Sequence, residues 1–423
     1  MSKAFLISSI FFAVLTLNAL RPLPETTSFF ASWLTMELAP HHLVANVILM
    51  IVFAATGAIQ GTGGMVGLLL EAVTISGLVY MIVQSQRVRG IGEDALRDGL
   101  GQDYAKEILP HRSANHDLRV PWRQLLLPFY MKHPDVERVR NISYGPYGRR
   151  NKLDVYRHKD RPQGAPVLLF VHGGAWIISN KDQQGKPLML HFASRGWVCV
   201  APNYRLSPRS TWPDHIVDVK RAIAWIKENG SEYGADPRFI LISGGSAGGH
   251  LTALAALSRN DAEFQPGFED VDTTLQAAAP HYGVYDFTDA STVNTWGRRR
   301  MLERLVFKRK FRDAEDLFRQ ASPHYQIDQD APPFFVIHGA HDSLAPVGEA
   351  RRFVAKLREV SRNPVVFAEM PGAQHAFDVF PSIRTAHVVR AVERFADYVY
   401  SRWLPTHGGT SPAEAERDTA RRR

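Results

Sequence analysis

The first 83 residues of the chain are apolar along stretches that show no helical polar face. Three runs with at most one charge each cover residues 4–20, 43–59 and 62–83. Their length of 17–22 residues matches the ~20 residues with which an α-helix crosses the ~30 Å hydrocarbon core of a bilayer. A soluble helix of this length would show polar residues once per turn. The pattern therefore predicts a membrane anchor of about three transmembrane helices over residues 1–83.

Two features of this region leave alternatives open. The segment 29–39 is shorter and contains Glu37, which favours an interfacial helix with Trp33 at the level of the lipid headgroups. Residues 1–20 are also compatible with a cleaved signal peptide, although the small residues typical of a cleavage site are missing. Arginines that follow the third run favour a cytoplasmic catalytic part, but this signal is weak and the side of the membrane stays open.

From residue 138 onward, short continuous apolar runs alternate with amphipathic helical segments. Continuous apolar strands are typical of a parallel sheet that helices cover on both faces. The predicted strands are 138–144, 152–156, 167–171, 197–201, 239–242, 276–279, 334–337 and 365–369. The predicted helices are 185–194, 215–229, 247–257, 347–360 and 385–403. The alternation predicts an α/β fold with a mostly parallel sheet over residues 138–404.

The remaining segments do not follow this alternation. Residues 84–137 are predicted as a linker or cap segment, helical in its polar first part. Residues 286–320 are predicted as an insertion, whose basic stretch 298–312 favours a solvated cap helix, with contact to anionic headgroups as the alternative. The tail 405–423 has no apolar run and is predicted to be disordered.

Charge and cysteine content narrow the classes of function. The formal net charge of +8 permits contact with anionic lipid or nucleic acid. The basic residues are scattered and no aromatic-interleaved motif accompanies them, so we expect no nucleic-acid partner. A single cysteine excludes an intramolecular disulfide framework and a cysteine-based zinc site. We expect no metal, and the sequence leaves the oligomeric state open.

The strongest chemical motif is Gly-Gly-Ser-Ala-Gly at residues 244–248. It lies between the predicted strand 239–242 and the predicted helix 247–257. In such a turn the serine hydroxyl rises above the sheet at a helix N-terminus, and small residues are needed two positions before and after it. A glycine-rich turn with an idle serine is the alternative for this motif alone. We predict Ser246 as a nucleophile.

A second motif, His-Gly-Gly-Ala-Trp at residues 172–176, directly follows the predicted strand 167–171. Acyl transfer develops negative charge on a carbonyl oxygen, and preorganised N–H donors stabilise that charge. The backbone N–H groups of Gly173 and Gly174 are accessible because no Cβ shields them. Ala247, the residue after the predicted nucleophile, supplies a further N–H. These three residues are the predicted oxyanion hole.

Asp342 and His375 complete the constellation. They follow the predicted strands 334–337 and 365–369, so both belong to the carboxyl edge of the sheet, where ligands bind open α/β folds. The chain order Ser, Asp, His is that of α/β-hydrolases. His375 is predicted to exchange the proton and Asp342 to orient the imidazole. Asp378 is the alternative acid, although it follows the histidine. Three further histidines at this edge are predicted to be structural: His281, His338 and His341.

These motifs resemble the hormone-sensitive-lipase branch of the α/β-hydrolase esterases. The matching segments are HGGAW at 172–176, NYRLSP at 203–208, GGSAGGH at 244–250, HGAHDSLAP at 338–346 and HAF at 375–377. With its apolar N-terminal runs, the chain is also similar to membrane-associated actinobacterial Lip-type carboxylesterases. The resemblance implies the α/β-hydrolase fold, hydrolysis of carboxylic esters without a cofactor, and the triad and oxyanion residues named above.

The resemblance is less informative about the substrate. Gly245 stands where the branch commonly has an acid, and Ser207 and Arg209 replace its usual Ala and Glu. The candidate substrate-binding residues are Trp176, His172 and Tyr204, and for His172 a role in shaping its loop is the favoured alternative. Further candidate pocket residues are Trp122, Phe129, Tyr130 and Trp296. We predict a multi-pass membrane serine carboxylesterase that acts on short- to medium-chain acyl esters, either small molecules or lipids. An amidase, formamidase or peptidase of the same fold is the alternative, followed by an inactive, membrane-tethered binding module.

Overall fold

The chain begins with four helices that precede any strand. The computed structural model describes residues 2–23, 25–113, 116, 120–289 and 297–408, so Trp296 and residues 409–423 of the predicted tail lie outside the described residues. The four helices are α1 (Ser2–Leu20), α2 (Thr26–Glu37), α3 (Ala39–Ala55) and α4 (Gly61–Leu100). By length and composition, α1 and α4 are each able to cross a membrane. The pair α2–α3, bent by 82°, is a third candidate if it is counted as one broken span.

Close packing joins α1 to the apolar half of α4. A Cβ on Gly67 would lie 2.8 Å from the ring of Phe5, and a Cβ on Gly77 would lie 2.4 Å from the methyl group of Thr16. Glycine therefore lets the two helices approach, as small residues do between membrane helices. The side chains that point away from this contact on α1 are apolar and exposed: Ile7, Ile10, Phe11, Val14 and Leu17.

Helix α4 continues without interruption through the predicted boundary between anchor and linker at residues 83 and 84. Its charged second half packs on the folded domain, where Gly92 faces Ala391 and a Cβ on Gly99 would lie 2.7 Å from the side chain of Val366. The change from apolar to charged residues therefore marks a change of surroundings along one helix. It does not mark the end of an element, because α4 runs from Gly61 to Leu100 without a break.

An eight-stranded sheet forms the centre of the domain. Its strands are β1 (Val136–Ser143), β2 (Lys152–His158), β3 (Ala165–Val171), β4 (Val198–Pro202), β5 (Ala235–Gly245), β6 (Ala277–His281), β7 (Phe334–Gly339) and β8 (Val365–Met370). The strand order is β1-β2-β4-β3-β5-β6-β7-β8. The pairs β1–β2 and β2–β4 are antiparallel, and all pairs from β4 to β8 are parallel. The predicted mostly parallel sheet is confirmed.

Helices cover both faces of this sheet. They are α5 (Lys186–Ser194), α6 (Asp214–Asn229), α7 (Ala247–Leu257), α8 (Val347–Val360) and α9 (Ile383–Trp403). Alternate residues of β3 belong to opposite cores, as the two-residue period of a strand requires. Leu169 belongs to the core that also contains residues of α6, α7 and α8. Leu168 packs with residues of α5, α9 and the second half of α4. The two-sided covering inferred from the apolar strands is therefore confirmed.

Short helical turns fill the connections. They lie at Tyr104–Glu107, Pro110–Ser113, Trp122–Leu126, Gly148–Asn151, Gly230–Tyr233, Ala262–Phe264, Arg298–Met301, Leu302–Val306, Phe311–Asp313, Glu315–Gln320, Pro323–Tyr325 and Leu404–His407. The basic stretch 298–312 is not the single solvated helix that its charges favoured. Leu302, Val306 and Phe307 are buried in the core beside the sheet and break the stretch into turns.

Candidate active site

Ser246 occupies a sharp turn between β5 and α7. Its backbone has φ +58° and ψ −122°, a left-handed conformation that is strained for a residue with a Cβ. A Cβ on Gly244 would lie 2.4 Å from the carbonyl oxygen of Val171, and one on Gly248 would lie 2.0 Å from it. The turn therefore requires the small residues that the motif predicted, and it leaves the Ser246 hydroxyl at the carboxyl edge of the sheet.

Two loops bring partners to this hydroxyl. His375 follows β8 and places its Nε2 atom 2.8 Å from the Oγ atom of Ser246. Asp342 follows β7 and places Oδ2 2.7 Å from Nδ1 of the same imidazole. The three predicted residues therefore form one continuous chain of hydrogen bonds. When Nδ1 donates its proton to the carboxylate, Nε2 is free to accept the proton of the serine hydroxyl.

The carboxylate of Asp342 is buried but well supplied with donors. The backbone N–H groups of Leu344 and Ala345 donate to Oδ1 at 2.9 and 2.7 Å. The Nε2 atom of His338 lies 3.3 Å from Oδ2. Burial by itself raises the pKa of Asp342, but the charge of His375 and the hydrogen bonds from His338 and His375 outweigh burial and lower that pKa below its ordinary value. Asp342 is therefore ionised at neutral pH.

The predicted oxyanion residues surround the serine. A Cβ on Gly173 would lie 2.5 Å from the carbonyl oxygen of Gly245, so only glycine fits there. Gly174 has φ +111°, where a side chain would be strained. Ala247 opens α7 and is buried. The N–H of Gly173 donates to Oε1 of Gln184 at 2.7 Å, a partner that sequence reasoning did not identify because Gln184 lies in an irregular loop.

The candidate substrate-binding residues separate into two groups. The ring of His172 stacks on Tyr204 with centroids 4.4 Å apart, and the Tyr204 hydroxyl donates to the His172 carbonyl at 3.0 Å. Both are buried behind the glycine loop and contribute to neither cavity at Ser246. The rings of His172 and Tyr204 therefore support that loop, which is the role favoured for His172, and neither ring lines a cavity at Ser246. Burial lowers the pKa of His172 to about 4, so the ring is neutral. Trp176 does line a cavity at Ser246.

A second imidazole–carboxylate pair lies beside the first. Nδ1 of His281 is 2.5 Å from Oδ2 of Asp378, and the Tyr282 hydroxyl also donates to Asp378. Asp378, the alternative acid, thus pairs with His281 and not with His375. The Tyr282 ring packs 4.8 Å from His375, and a Cβ on Gly245 would lie 2.6 Å from that ring. A side chain at position 245 would therefore collide with this tyrosine.

Two cavities meet at Ser246. The larger has a volume of about 680 Å³ and is lined by residues of α2, the glycine loop and the loop after β8, among them Phe29, Phe30, Trp33, Ile178, Tyr282 and Val379. The smaller has a volume of about 350 Å³ and is lined by Trp176, Val284, Arg298 and Met301, among others. Trp33 was expected at the lipid headgroups, but its indole donates to the carbonyl of Ala376 at 2.8 Å. An apolar helix with one tryptophan does not reveal from sequence whether lipid or protein covers it.

The other candidate pocket residues lie elsewhere. Trp122, Phe129 and Tyr130 are each at least 60% exposed and line neither cavity. Within the described ranges, His116, Glu393 and Asp397 present ligand atoms within 4.8 Å of one another. Arg112 already pairs with Asp397, and Arg195 pairs with Glu393. These two guanidinium charges neutralise the carboxylates that a cation would need.

Known proteins share this fold and extend the similarity over nearly the whole chain. The family model described as BD-FAE matches residues 153–357. Over 413 residues, the chain is 45% identical to the probable carboxylic ester hydrolase LipM of Mycobacterium tuberculosis, covering 95% of this chain and 94% of that one. The chain belongs to this family of Lip carboxylic ester hydrolases. It is also 44% identical to the esterase LipQ of the same organism over 331 residues, 77% of this chain and 78% of LipQ.

Solved structures support the fold of the esterase. Thermogutta terrifontis esterase 2, phosphonylated by sarin, aligns with a TM-score of 0.52 and 23% identity over 66% of this chain and 98% of that chain. At this identity the likeness concerns the fold alone. The resemblance inferred from five short motifs is thus confirmed by matches over most of the chain, and so is the reaction class, the hydrolysis of carboxylic esters.

Proposed function

We propose that Ser246, His375 and Asp342 are the catalytic triad of this esterase and that the reaction proceeds through an acyl-enzyme. One observation carries the proposal: the hydrogen-bond chain from Ser246 Oγ to His375 Nε2 at 2.8 Å and from His375 Nδ1 to Asp342 Oδ2 at 2.7 Å. The lowered pKa of Asp342 supports it, because an ionised carboxylate stabilises the imidazolium that forms during proton transfer.

The reaction then has two balanced halves. Ser246 Oγ attacks the ester carbonyl carbon while its proton passes to His375 Nε2, and the imidazolium returns that proton to the departing alkoxide. This leaves the acyl group on Ser246 and releases an alcohol. A water molecule next gives a proton to His375 and attacks the acyl carbon. The serine oxygen recovers a proton from the imidazolium, and the carboxylic acid is released.

The oxyanion of each tetrahedral intermediate is assigned to the backbone N–H groups of Gly173, Gly174 and Ala247. The glycine at 173 is supported by the lack of space for any Cβ. Gln184 accepts the N–H of Gly173 when no substrate is present. A substrate carbonyl oxygen would therefore replace the Gln184 amide oxygen, so that this donor is never left buried without a partner.

The membrane assignment follows from the N-terminal helices. We infer that α1 and the apolar half of α4 cross a bilayer, with the α2–α3 pair as a bent third element, so that the esterase is a multi-pass membrane protein. The lengths and composition of these helices support this, as does the band of exposed apolar side chains on α1. Protection of the catalytic domain from added protease in sealed vesicles would identify the side that it faces.

Labelling of Ser246 tests the catalytic proposal directly. The full-length protein in lipid nanodiscs should react with a fluorophosphonate probe and hydrolyse p-nitrophenyl esters, and Ser246→Ala should lose both properties. Ser258→Ala, at the end of α7, is the matched control and should keep both. Wild-type protein that neither labels nor hydrolyses would favour the inactive binding module. Faster turnover of N-formyl or anilide substrates than of esters would favour the amidase alternative.

A further inference from the structure

Helix α2 presents one face to the larger cavity at Ser246. Thr26, Phe29, Phe30 and Trp33 all line that cavity. Their spacing of three, four and seven residues is that of one stripe along an α-helix. The ring of Phe29 lies 6.2 Å from the ring of His375. A segment between two candidate membrane helices therefore forms a wall of the reaction site.

Polar contacts fasten α2 to the loop that carries His375. Trp33 donates to the carbonyl of Ala376 at 2.8 Å, and Gln374 donates to the hydroxyl of Ser32 at 3.1 Å. These two contacts flank His375 on either side in the sequence. They fix the position of the apolar stripe relative to the catalytic imidazole.

A buried ion pair adds a third attachment at the end of α2. The carboxylate of Glu37 pairs with Arg384 and accepts a hydrogen bond from Ser382 at 2.7 Å. Glu37 and Arg384 are both buried. Removing one partner would leave an uncompensated charge in the interior, so α2 is held against α9 as part of the folded domain.

The chemistry of the larger cavity selects an apolar ligand. None of its lining residues is an aspartate, glutamate, lysine or arginine. Ile178, Leu344 and Val379, which lie outside α2, add further apolar side chains to the lining. A volume of about 680 Å³ falls in the range of cavities that hold whole small-molecule ligands. A hydrocarbon chain fits these properties, and a charged group would find no ionised side chain of opposite sign among the lining residues.

The rim of the same cavity is apolar and exposed. Phe30 and Ile178 are 51% and 66% exposed. Phe129, which is 65% exposed, packs on Phe380, and Phe380 packs on Trp33. Exposed apolar patches of this kind mark surfaces that contact another apolar phase. The covalent continuation of α2 into the apolar helices α1 and α3 identifies that phase as lipid.

A second cluster beside Phe129 supports the lipid assignment. Trp122 and Tyr130 are exposed aromatic residues, and each has a cation over its ring, Arg123 and Lys132 respectively. Amphipathic aromatic rings next to basic side chains are typical of the membrane interface. The segment that carries Phe129 therefore has the composition of a membrane-interface segment, although its residues do not line the cavity.

We propose that α2 is the acyl-chain wall of the esterase, and that the larger cavity takes an unbranched hydrocarbon chain of about eight carbons or more from an ester dissolved in the bilayer. This inference rests on the proposed function, since it assigns the chain that is bonded to the carbonyl attacked by Ser246. It makes α2 a specificity-determining element in addition to a connection between membrane helices.

The test is a chain-length series on full-length protein in phosphatidylcholine nanodiscs. We expect kcat/KM for p-nitrophenyl esters to rise from acetate to octanoate by up to about fourfold for each buried methylene. Val379→Trp fills the larger cavity from the loop after β8, and Thr26→Trp fills it from α2, where Thr26 also lines the smaller cavity. Each should lower the octanoate-to-acetate ratio of kcat/KM at least tenfold. Phe11→Ala is the control. Phe11 is an exposed ring on α1 that lines neither cavity, so this variant should leave the ratio unchanged.

Fluorophosphonate labelling separates this inference from the proposed function. If Ser246 does not label in the wild type, the proposed function fails. If Ser246 labels but the chain-length profile is flat, or if both tryptophan variants lower acetate and octanoate equally while labelling normally, only the role of α2 is overturned. A tryptophan variant that fails to label and melts well below the wild type is misfolded, and the other variant then decides.

Discussion

Two imidazole–carboxylate pairs stand side by side at the carboxyl edge of the sheet, and only one of them reaches the serine. Nδ1 of His375 lies 2.7 Å from Oδ2 of Asp342, and Nδ1 of His281 lies 2.5 Å from Oδ2 of Asp378. The difference lies at the other ring nitrogen. Nε2 of His375 is 2.8 Å from Ser246 Oγ, whereas Nε2 of His281 has no hydrogen-bond partner among the described residues.

The two carboxylates also differ in their burial and in the donors that hold them. Asp342 is buried and receives two backbone N–H groups besides His375, so its position is fixed. Asp378 is slightly exposed and shares its oxygens between His281 and the Tyr282 hydroxyl. The His281 carbonyl in turn accepts the backbone N–H of Ser246 at 3.0 Å. The second pair thus supports the backbone of the turn, and a short imidazole–carboxylate distance alone does not identify a catalytic residue.

The largest effect is expected at the serine that distinguishes the two pairs. Ser246→Ala should lower kcat on p-nitrophenyl butyrate on the order of 10⁵-fold, because no other described hydroxyl lies at His375 Nε2. Steady-state kinetics on nanodisc protein would measure this. Retention of more than a hundredth of the activity would mean that Ser246 is not the nucleophile.

The two histidines provide a matched comparison. His375→Gln should lower kcat by about 10⁴-fold or more, because the proton of Ser246 then has no base. His281→Gln should lower it less than tenfold, because the backbone carbonyl that holds Ser246 remains. Equal losses in the two variants, with equal thermal stability, would contradict the assignment of His375.

The two aspartates should differ by a smaller factor. Asp342→Asn should lower kcat by about 10³-fold, since the ring keeps a partner but loses its charge stabilisation. Asp378→Asn should lower kcat less than tenfold.

The pKa of Asp342 is lowered, so its stabilising contribution is complete above pH 3.8 and is lost as the pH falls below that value. The difference in melting temperature between wild type and Asp342→Asn should therefore shrink as the pH approaches 3.

Glu349 is a third carboxyl for comparison; it is buried, and its hydrogen bonds come from backbone N–H groups and not from an imidazole. Burial is the main cause that raises the pKa of Glu349 from 4.5 to about 7, against hydrogen bonds from the N–H groups of Asp286 and Tyr285. The folded state then keeps a proton that the unfolded chain releases, so stability falls by an amount on the order of 3 kcal/mol as the pH rises from 4.5 to about 7.

Glu349→Gln should remove this contribution while keeping an oxygen acceptor for the two N–H groups. Melting curves of the wild type and the variant between pH 5 and pH 8 measure the slope directly. A variant whose melting temperature falls with pH as steeply as that of the wild type would show that another group is responsible.

Much of the fold and of the candidate site could be predicted because local patterns dictate them. Apolar runs such as 167–171 have one stable use, a strand buried on both faces, and the observed β3 includes that run. Ser246, Asp342 and His375 could be found because a strained turn restricts the residues around it and because the chain order is limited to a few solutions.

The rest depended on contacts between distant segments. The interaction of Trp33 with Ala376 joins residues 343 positions apart, and no periodicity reports such a contact. Tyr282 and Gly245 form a complementary pair that only the packing of two adjacent strands creates. His172 and Tyr204 were chosen as substrate contacts because they lie in the right motifs, but a motif does not tell which side of a loop a ring occupies. The spacing of Thr26, Phe29, Phe30 and Trp33 was the available signal for α2.

Helix α4 has a mechanical consequence. Its 40 residues extend about 60 Å at 1.5 Å per residue, and the first half belongs to the proposed anchor while the second half is clamped to α9 and β8. In the proposed arrangement, this rigid helix would fix both the distance of Ser246 from the bilayer surface and the orientation of the domain about the helix axis. Each residue inserted near the middle of the helix would rotate the domain by about 100°, turning the cavity mouth away from the surface that it serves. In the proposed membrane arrangement, the search for substrate would be confined to two dimensions.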